Sequence, residues 1–119
     1  MGVPSYQNLI VWQKAMDLAE AIYRLIKKLP KEETYALADQ MRRAVISIPS
    51  NIAEGNGRVS TGDYIRFLSI ARGSKAEIET QLLLCVKLCY VQQSEIEEAM
   101  NLCTEVGKML NAMISKFKK

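Results

Sequence analysis

The chain has 119 residues, enough for one domain with its own core, and 49% of them are hydrophobic, the balance of a globular protein. It contains no histidine, which excludes Ser-His-Asp and Cys-His catalysis and any metal site that needs an imidazole. A net charge of +3 permits a nucleic-acid partner without demanding one, and no apolar run is long enough to span a membrane.

The N-terminus, Met1-Gly2-Val3-Pro4-Ser5, lacks the charged and apolar regions of a secretory signal, and Tyr6 stands where a myristoylation signal has Ser or Thr. Helical periodicity begins at about Leu9 and runs to Leu29, with Val11, Trp12, Ala15, Leu18, Ala19, Ile22, Leu25, Ile26 and Leu29 on the apolar side. Lys27 and Lys28 suit the negative end of the helix dipole, and Pro30 stops the helix.

Thr34 is the expected N-cap of a second helix that reaches about Glu54. Its apolar stripe is Leu37, Met41, Ala44, Val45, Ile48 and Ile52, and beside it runs a polar row of Gln40, Arg43, Ser47, Asn51 and Glu54. Pro49 lies inside this span and predicts either a kink at Val45–Pro49 or a helix restarting at the proline. Gly55-Asn56-Gly57 ends it.

Ser60-x-x-Asp63 resembles a capping box and opens the longest helix, about Thr61 to Tyr90. Its predicted core stripe is Tyr64, Leu68, Ala71, Ile78, Leu82, Cys85 and Cys89, interrupted by Lys75, which must snorkel or find an acid. Ser94-x-x-Glu97 is the expected box of the last helix, with Ile96, Met100, Cys103, Val106, Leu110, Met113 and Phe117 facing inward and a frayed basic end of Lys116, Lys118 and Lys119. Links this short predict an all-α, antiparallel up-down-up-down four-helix bundle, with residues 1–119 forming one domain.

A buried polar row needs partners, because unpaired polar groups are costly away from water. The third helix offers a matching row, Ser74, Glu77 and Gln81, and the two rows are expected to face each other with Arg43 paired to Glu77 or Glu54. The stretch from Leu82 to Val91 is apolar nearly all round, and Ile46 faces away from its own core stripe. One core cannot cover all these directions, so several copies of the chain are expected to associate.

Candidate chemistry is sparse. The odd cysteine count, Cys85, Cys89 and Cys103, points to reduced thiols and a cytoplasmic protein. Core packing of these cysteines is favoured over a zinc site, which wants four ligands. Gly55-Asn56-Gly57-Arg58 has no Walker spacing and reads as a turn first. No enzyme activity and no cofactor are expected. Arg42, Arg43, Arg58, Arg66 and Arg72 gather on the two middle helices with Lys75 and Lys87, where copies of the chain would pool their field toward phosphates.

Trp12, then Tyr35-x-Leu37-x-x-Gln40-x-Arg42-Arg43-Ala44, Ser47-Ile48-Pro49-x-Asn51-Ile52-Ala53-Glu54-Gly55, Arg58, Phe67-Leu68-x-Ile70-Ala71-x-Gly73-Ser74 and Glu77-x-Glu79-Thr80-Gln81-Leu82 resemble the 23S rRNA-intervening sequence proteins. That family, also labelled four-helix-bundle or S23 ribosomal proteins, implies a bacterial cytoplasmic bundle. Relatives encoded beside reverse transcriptases in diversity-generating retroelements form five-membered rings with a basic surface that binds nucleic acid. The resemblance therefore implies a pentamer and carries over Arg42, Arg43, Arg58 and Arg66 as phosphate contacts. It also leaves room for a second role, an adaptor that contacts a reverse transcriptase or another protein. Many relatives are more basic where this chain reads Val59-Ser60-Thr61-Gly62.

Overall fold

The computed structural model describes residues 5–118; Met1–Pro4, where part of the N-terminal signal reading falls, and Lys119 of the basic end lie outside them. Four helices make up the described chain: α1 (Ile10–Ile26), α2 (Leu37–Asn56), α3 (Thr61–Lys87) and α4 (Gln93–Phe117). Single turns of 3-10 helix, Ser5–Asn8 and Lys31–Glu33, precede α1 and α2. Each helix packs against its neighbours in sequence, and α1 also packs against α4, which closes the antiparallel four-helix bundle. None of the helices described is long and apolar enough to cross a membrane.

The core follows the apolar stripes. Leu18 and Ile22 of α1, Met41, Ile48 and Ile52 of α2, Leu68, Ile78 and Leu82 of α3, and Ile96 and Leu110 of α4 are fully buried. Removing a side chain of this kind from water stabilises the fold by about 1.5–3 kcal/mol. Lys75 finds its acid: its Nζ lies 3.1 Å from Glu79 Oε1, and its stem crosses Gly107 of α4, where an added Cβ would come within 3.1 Å of Cε. Gly55 lets α2 and α3 cross closely, since a Cβ there would lie 2.8 Å from Phe67 Cβ and 3.0 Å from Tyr64 Cδ1.

Several helix ends differ from the sequence reading, each through a partner remote in sequence. Thr34 is not the cap of α2. The turn at Lys31–Glu33 delays the helix, and the Glu33 carboxylate accepts from the Leu37 N–H at 3.3 Å. The same carboxylate accepts from the Tyr90 hydroxyl at 2.7 Å, which ties this start to the α3–α4 link. The last helix begins before Ser94, with Glu95 accepting from the Gln92 N–H at 2.8 Å and pairing with Lys28 of the α1–α2 link. No restart occurs at Pro49: α2 runs through it, because Pro49 is buried and its packing offsets the backbone bond to Val45 that proline cannot make.

At the other end of α3, Cys89 is exposed rather than part of the core stripe. Its φ of 63° puts it in the left-handed region. The Tyr90 N–H bonds to Cys85 O at 3.0 Å and the Cys89 N–H to Val86 O at 2.9 Å, the two hydrogen bonds of a Schellman terminus. Cys85 and Cys103 are buried, and burial is the main reason both thiols titrate above their ordinary range, Cys103 being pushed up to about 12. Both therefore stay protonated at neutral pH and pack as small apolar groups.

Candidate nucleic-acid interface

The turn between α2 and α3 is set by local chemistry. Gly57 and Arg58 close α2 with N–H bonds to Glu54 O and Gly55 O, and Ser60 Oγ accepts from the Asp63 N–H at 3.1 Å to start α3. This short reversal brings both Arg58 and Arg66 against Phe67. Their guanidinium carbons sit 4.7 and 4.6 Å from the centroid of its ring, close enough for cation–π attraction. The ring is buried, so the two arginines cover it while keeping their charged ends in water.

The antiparallel path brings the end of α4 to the same place. Tyr64 stacks on Phe117 with centroids 5.0 Å apart, and the exposed Lys116 and Lys118 flank that contact in sequence. Asn56 donates to the Tyr64 hydroxyl at 3.2 Å and accepts from Ser5 Oγ at 2.7 Å, which fastens the start of the described chain to this end. Four cations therefore share one end of the bundle with two carboxylates. Glu54 pairs with Arg58 at 3.0 Å, and Asp63 lies 4.0 Å from Arg66. Exposed pairs one turn apart are weak and screened by salt, so a polyanion can compete for the arginines. Tyr64, Phe67 and Phe117 are turned into the protein and leave little ring face for a base to stack on.

Arg42 and Arg43 do not join this group. They lie roughly 24 Å back along α2 from Arg58, at 1.5 Å per residue. Asp39 pairs with Arg43 at 3.0 Å and lies 3.7 Å from Arg42, and Arg42 donates to Thr34 O at 2.9 Å. The four arginines read from the sequence thus form two separate clusters. Lys116 and Lys118, read only as a frayed end, complete one of them. The up-down-up-down path already implied that the end of the last helix lies beside the second link.

The polar row is assembled in part. Ser74 of α3 donates to Ser47 Oγ of α2 at 2.9 Å, and Asn51 donates to Ser47 O at 2.7 Å and to Ser47 Oγ at 2.9 Å. Gln81 is 6% exposed, and its Oε1 is without a hydrogen-bond partner among the described residues. Gln40, Glu54 and Glu77 are exposed. The expected pairing of Arg43 with Glu77 or Glu54 does not form. Asp39, one turn away on the same helix, captures Arg43, and Glu54 captures Arg58. On a wet face nothing drives a long side chain across to the next helix when a nearer partner exists.

Sequence reasoning also missed an apolar groove between α1 and α2, lined by Tyr6, Trp12, Met16, Ala19, Tyr23, Ile46, Pro49, Ser50 and Ala53. Its signal was present as Trp12, Met16 and Tyr23 at four- and seven-residue spacing, a second apolar stripe beside the core one.

No curated protein matches the chain. Among solved structures it is similar to a protein of unknown function from the S23 ribosomal protein family of Bacteroides thetaiotaomicron VPI-5482, with 31% identity and a TM-score of 0.81 over 88% of this chain and 98% of the other. Residues 7–112, nearly the whole sequence, match the family described as 23S rRNA-intervening sequence proteins, and the chain belongs to that family.

Proposed function

We propose that this protein is a non-catalytic, cytoplasmic, self-associating bundle that binds the phosphate backbone of RNA or DNA. The observation that carries the proposal is the convergence of Arg58 and Arg66 on Phe67, at the end of the bundle that also bears Lys116 and Lys118. Cations held on a rigid ring by packing lose little freedom when they meet a phosphate. With little base stacking on offer, binding is led by charge and weakly selective for sequence. Arg42 and Arg43 form a second cluster, too distant to serve the same phosphate. Self-association draws support from the exposure of Ile46, Leu83, Leu84 and Leu88, the residues whose directions one core could not cover. Association in a ring, with five members as the family resemblance implies, would repeat the basic end around an axis and multiply its field.

Titrating labelled RNA and DNA at two salt concentrations tests the binding. The affinity is expected to fall steeply with salt, with a logarithmic slope of about −0.9 per phosphate engaged on a duplex. Arg58→Glu with Arg66→Glu should abolish most of the binding. Unchanged affinity in that double variant, or no salt dependence, would reject the site.

The apolar groove between α1 and α2 favours one other reading, an adaptor that contacts a second protein such as a reverse transcriptase without touching nucleic acid. The same titration separates the two, because an adaptor of that kind binds neither RNA nor DNA at either salt concentration.

A further inference from the structure

Charge is spread unevenly over the last two helices. Residues 64–76 of α3 carry Arg66, Arg72 and Lys75, and residues 106–118, at the end of α4, carry Lys108, Lys116 and Lys118. Neither stretch contains an Asp or a Glu. Their six cations are twice the net charge of +3, so the rest of the chain is net acidic. Three contacts lay the two stretches side by side. The Lys75 stem crosses Gly107, Arg72 Nη1 donates to Asn111 Oδ1 at 2.9 Å, and Tyr64 stacks on Phe117. The seam so formed is about 16 Å long at 1.5 Å per residue. It ends where Arg58 and Arg66 meet Phe67.

Arg72 differs from every other arginine of the chain. Arg24, Arg42, Arg43, Arg58 and Arg66 each have a carboxylate within 4.0 Å, from a residue three or four places before them. Arg72 has no carboxylate at that distance among the described residues, and its partner is a neutral amide. An amide oxygen occupies one of the five guanidinium donors and fixes the plane of the group, but leaves its charge uncancelled. Lys108 is also without an ion pair among the described residues. Lys108, Asn111 and Lys118 recur at three and seven residues, so they share one side of α4, the side that meets Arg72. All four of these residues are exposed. The α1–α4 face is the contrary case. Its cations Lys14, Arg24 and Lys28 answer Glu105, Glu98 and Glu95 across the two helices.

We infer that the α3–α4 seam is a track for the phosphodiester backbone of one nucleic-acid strand, with Arg72 as its anchor and Lys108 and Lys118 along it. This rests on the nucleic-acid binding proposed above and makes the Arg58–Arg66 end one terminus of a longer path. It also sets the size of the ligand. A seam of about 16 Å spans about five phosphates of one duplex strand at 3.4 Å each, so the ligand is an oligonucleotide and not a single nucleotide. A guanidinium already held in place by Asn111 loses little freedom when a phosphate arrives.

Two double variants that remove the same charge from different faces test the track. Arg72→Gln with Lys108→Gln strips the seam, and Lys14→Gln with Arg24→Gln strips the α1–α4 face. Labelled RNA and DNA duplexes are titrated over a range of salt concentrations. Circular dichroism and light scattering should show both variants with the helices and mass of the unmodified protein. The seam variant is expected to bind about tenfold or more weakly, with a logarithmic salt slope shallower by about 1.8, the loss of two phosphate contacts. The α1–α4 variant should keep both affinity and slope nearly unchanged. Equal losses in the two variants, or an unchanged slope in the seam variant, would overturn the track while leaving nucleic-acid binding intact. Weaker binding that follows a change in mass would overturn it as well, because the seam would then be a contact between copies. An unmodified protein that binds neither duplex would overturn the nucleic-acid reading itself. As a second arm, Asn111→Asp places a carboxylate against Arg72 and should weaken binding by about as much as Arg72→Gln. Full affinity in that variant would overturn the role of Arg72 as anchor.

Discussion

Cys89 holds the left-handed position that ends α3, where a Cβ is disfavoured by about 1–2 kcal/mol. Cys89→Gly is expected to raise unfolding free energy by about 0.5–1 kcal/mol, since the freedom glycine gains in the unfolded chain offsets part of the relief. Urea denaturation reads the change directly. Gly55 is the opposite case. An alanine there gains up to about 1 kcal/mol of helix propensity but must push apart Tyr64 and Phe67, and overpacking of that kind typically costs about 1–3 kcal/mol. Gly55→Ala should therefore lower the melting temperature, and an unchanged melt would mean that α2 and α3 do not cross so closely.

Two single residues also give stability a pH dependence. A hydrogen bond from Lys28, with further help from the Gln92 N–H, holds the Glu95 carboxyl below its ordinary value of 4.5. A lowered carboxylate pKa contributes stability that is present above that ordinary value and is lost as pH falls through the folded one. Glu95→Gln should reduce stability at neutral pH and flatten its decline in acid, as followed by thermal melts from pH 7 to pH 3. The hydrogen bond to Glu33 is the leading cause raising Tyr90 above its ordinary 10.0, so that contribution is present below pH 10 and fades as pH rises beyond it.

At the scale of the helix, the stripes were readable because burial obeys the 3.6-residue period whatever the partner. Leu18, Met41, Ile78 and Leu110 fall inside as their spacing requires. The ends were harder to read because they are settled by residues far away in sequence. Thr34 has the chemistry of a cap, but Glu33 is fixed by Tyr90 and takes the role. Ser94 likewise yields to Glu95, which also answers Lys28 across the bundle. The polar row between α2 and α3 was visible as a pattern, but Arg43 follows the local spacing instead: Asp39, four residues before it on the same helix, takes it in preference to Glu77 across the seam. The part that does form, Ser74 to Ser47 to Asn51, should be worth about 0.5–1.5 kcal/mol per hydrogen bond. Ser74→Ala is expected to lower unfolding free energy by about that amount, and a neutral result in chemical denaturation would show the seam to be satisfied equally well by water.

For the molecule as a whole, the basic end was half legible. Arg58 and Arg66 could be named from the sequence, but their meeting over Phe67 with Lys116 and Lys118 nearby depends on a turn and an antiparallel return that only the fold supplies. The surplus of apolar surface was legible at the end of α3 and at Ile46, because a stretch such as Leu82 to Val91 points in more directions than one core can absorb, whereas the groove between α1 and α2 was not. Both proposed activities depend on that surplus. Copies that stay apart carry a mild net charge of +3, too little to concentrate a polyanion, whereas copies held together present several basic ends at once. Sedimentation velocity of the unmodified protein at sub-micromolar concentration tests this most directly. The account predicts a species whose mass is a multiple of 13.4 kDa, and a lone 13.4 kDa particle would contradict it.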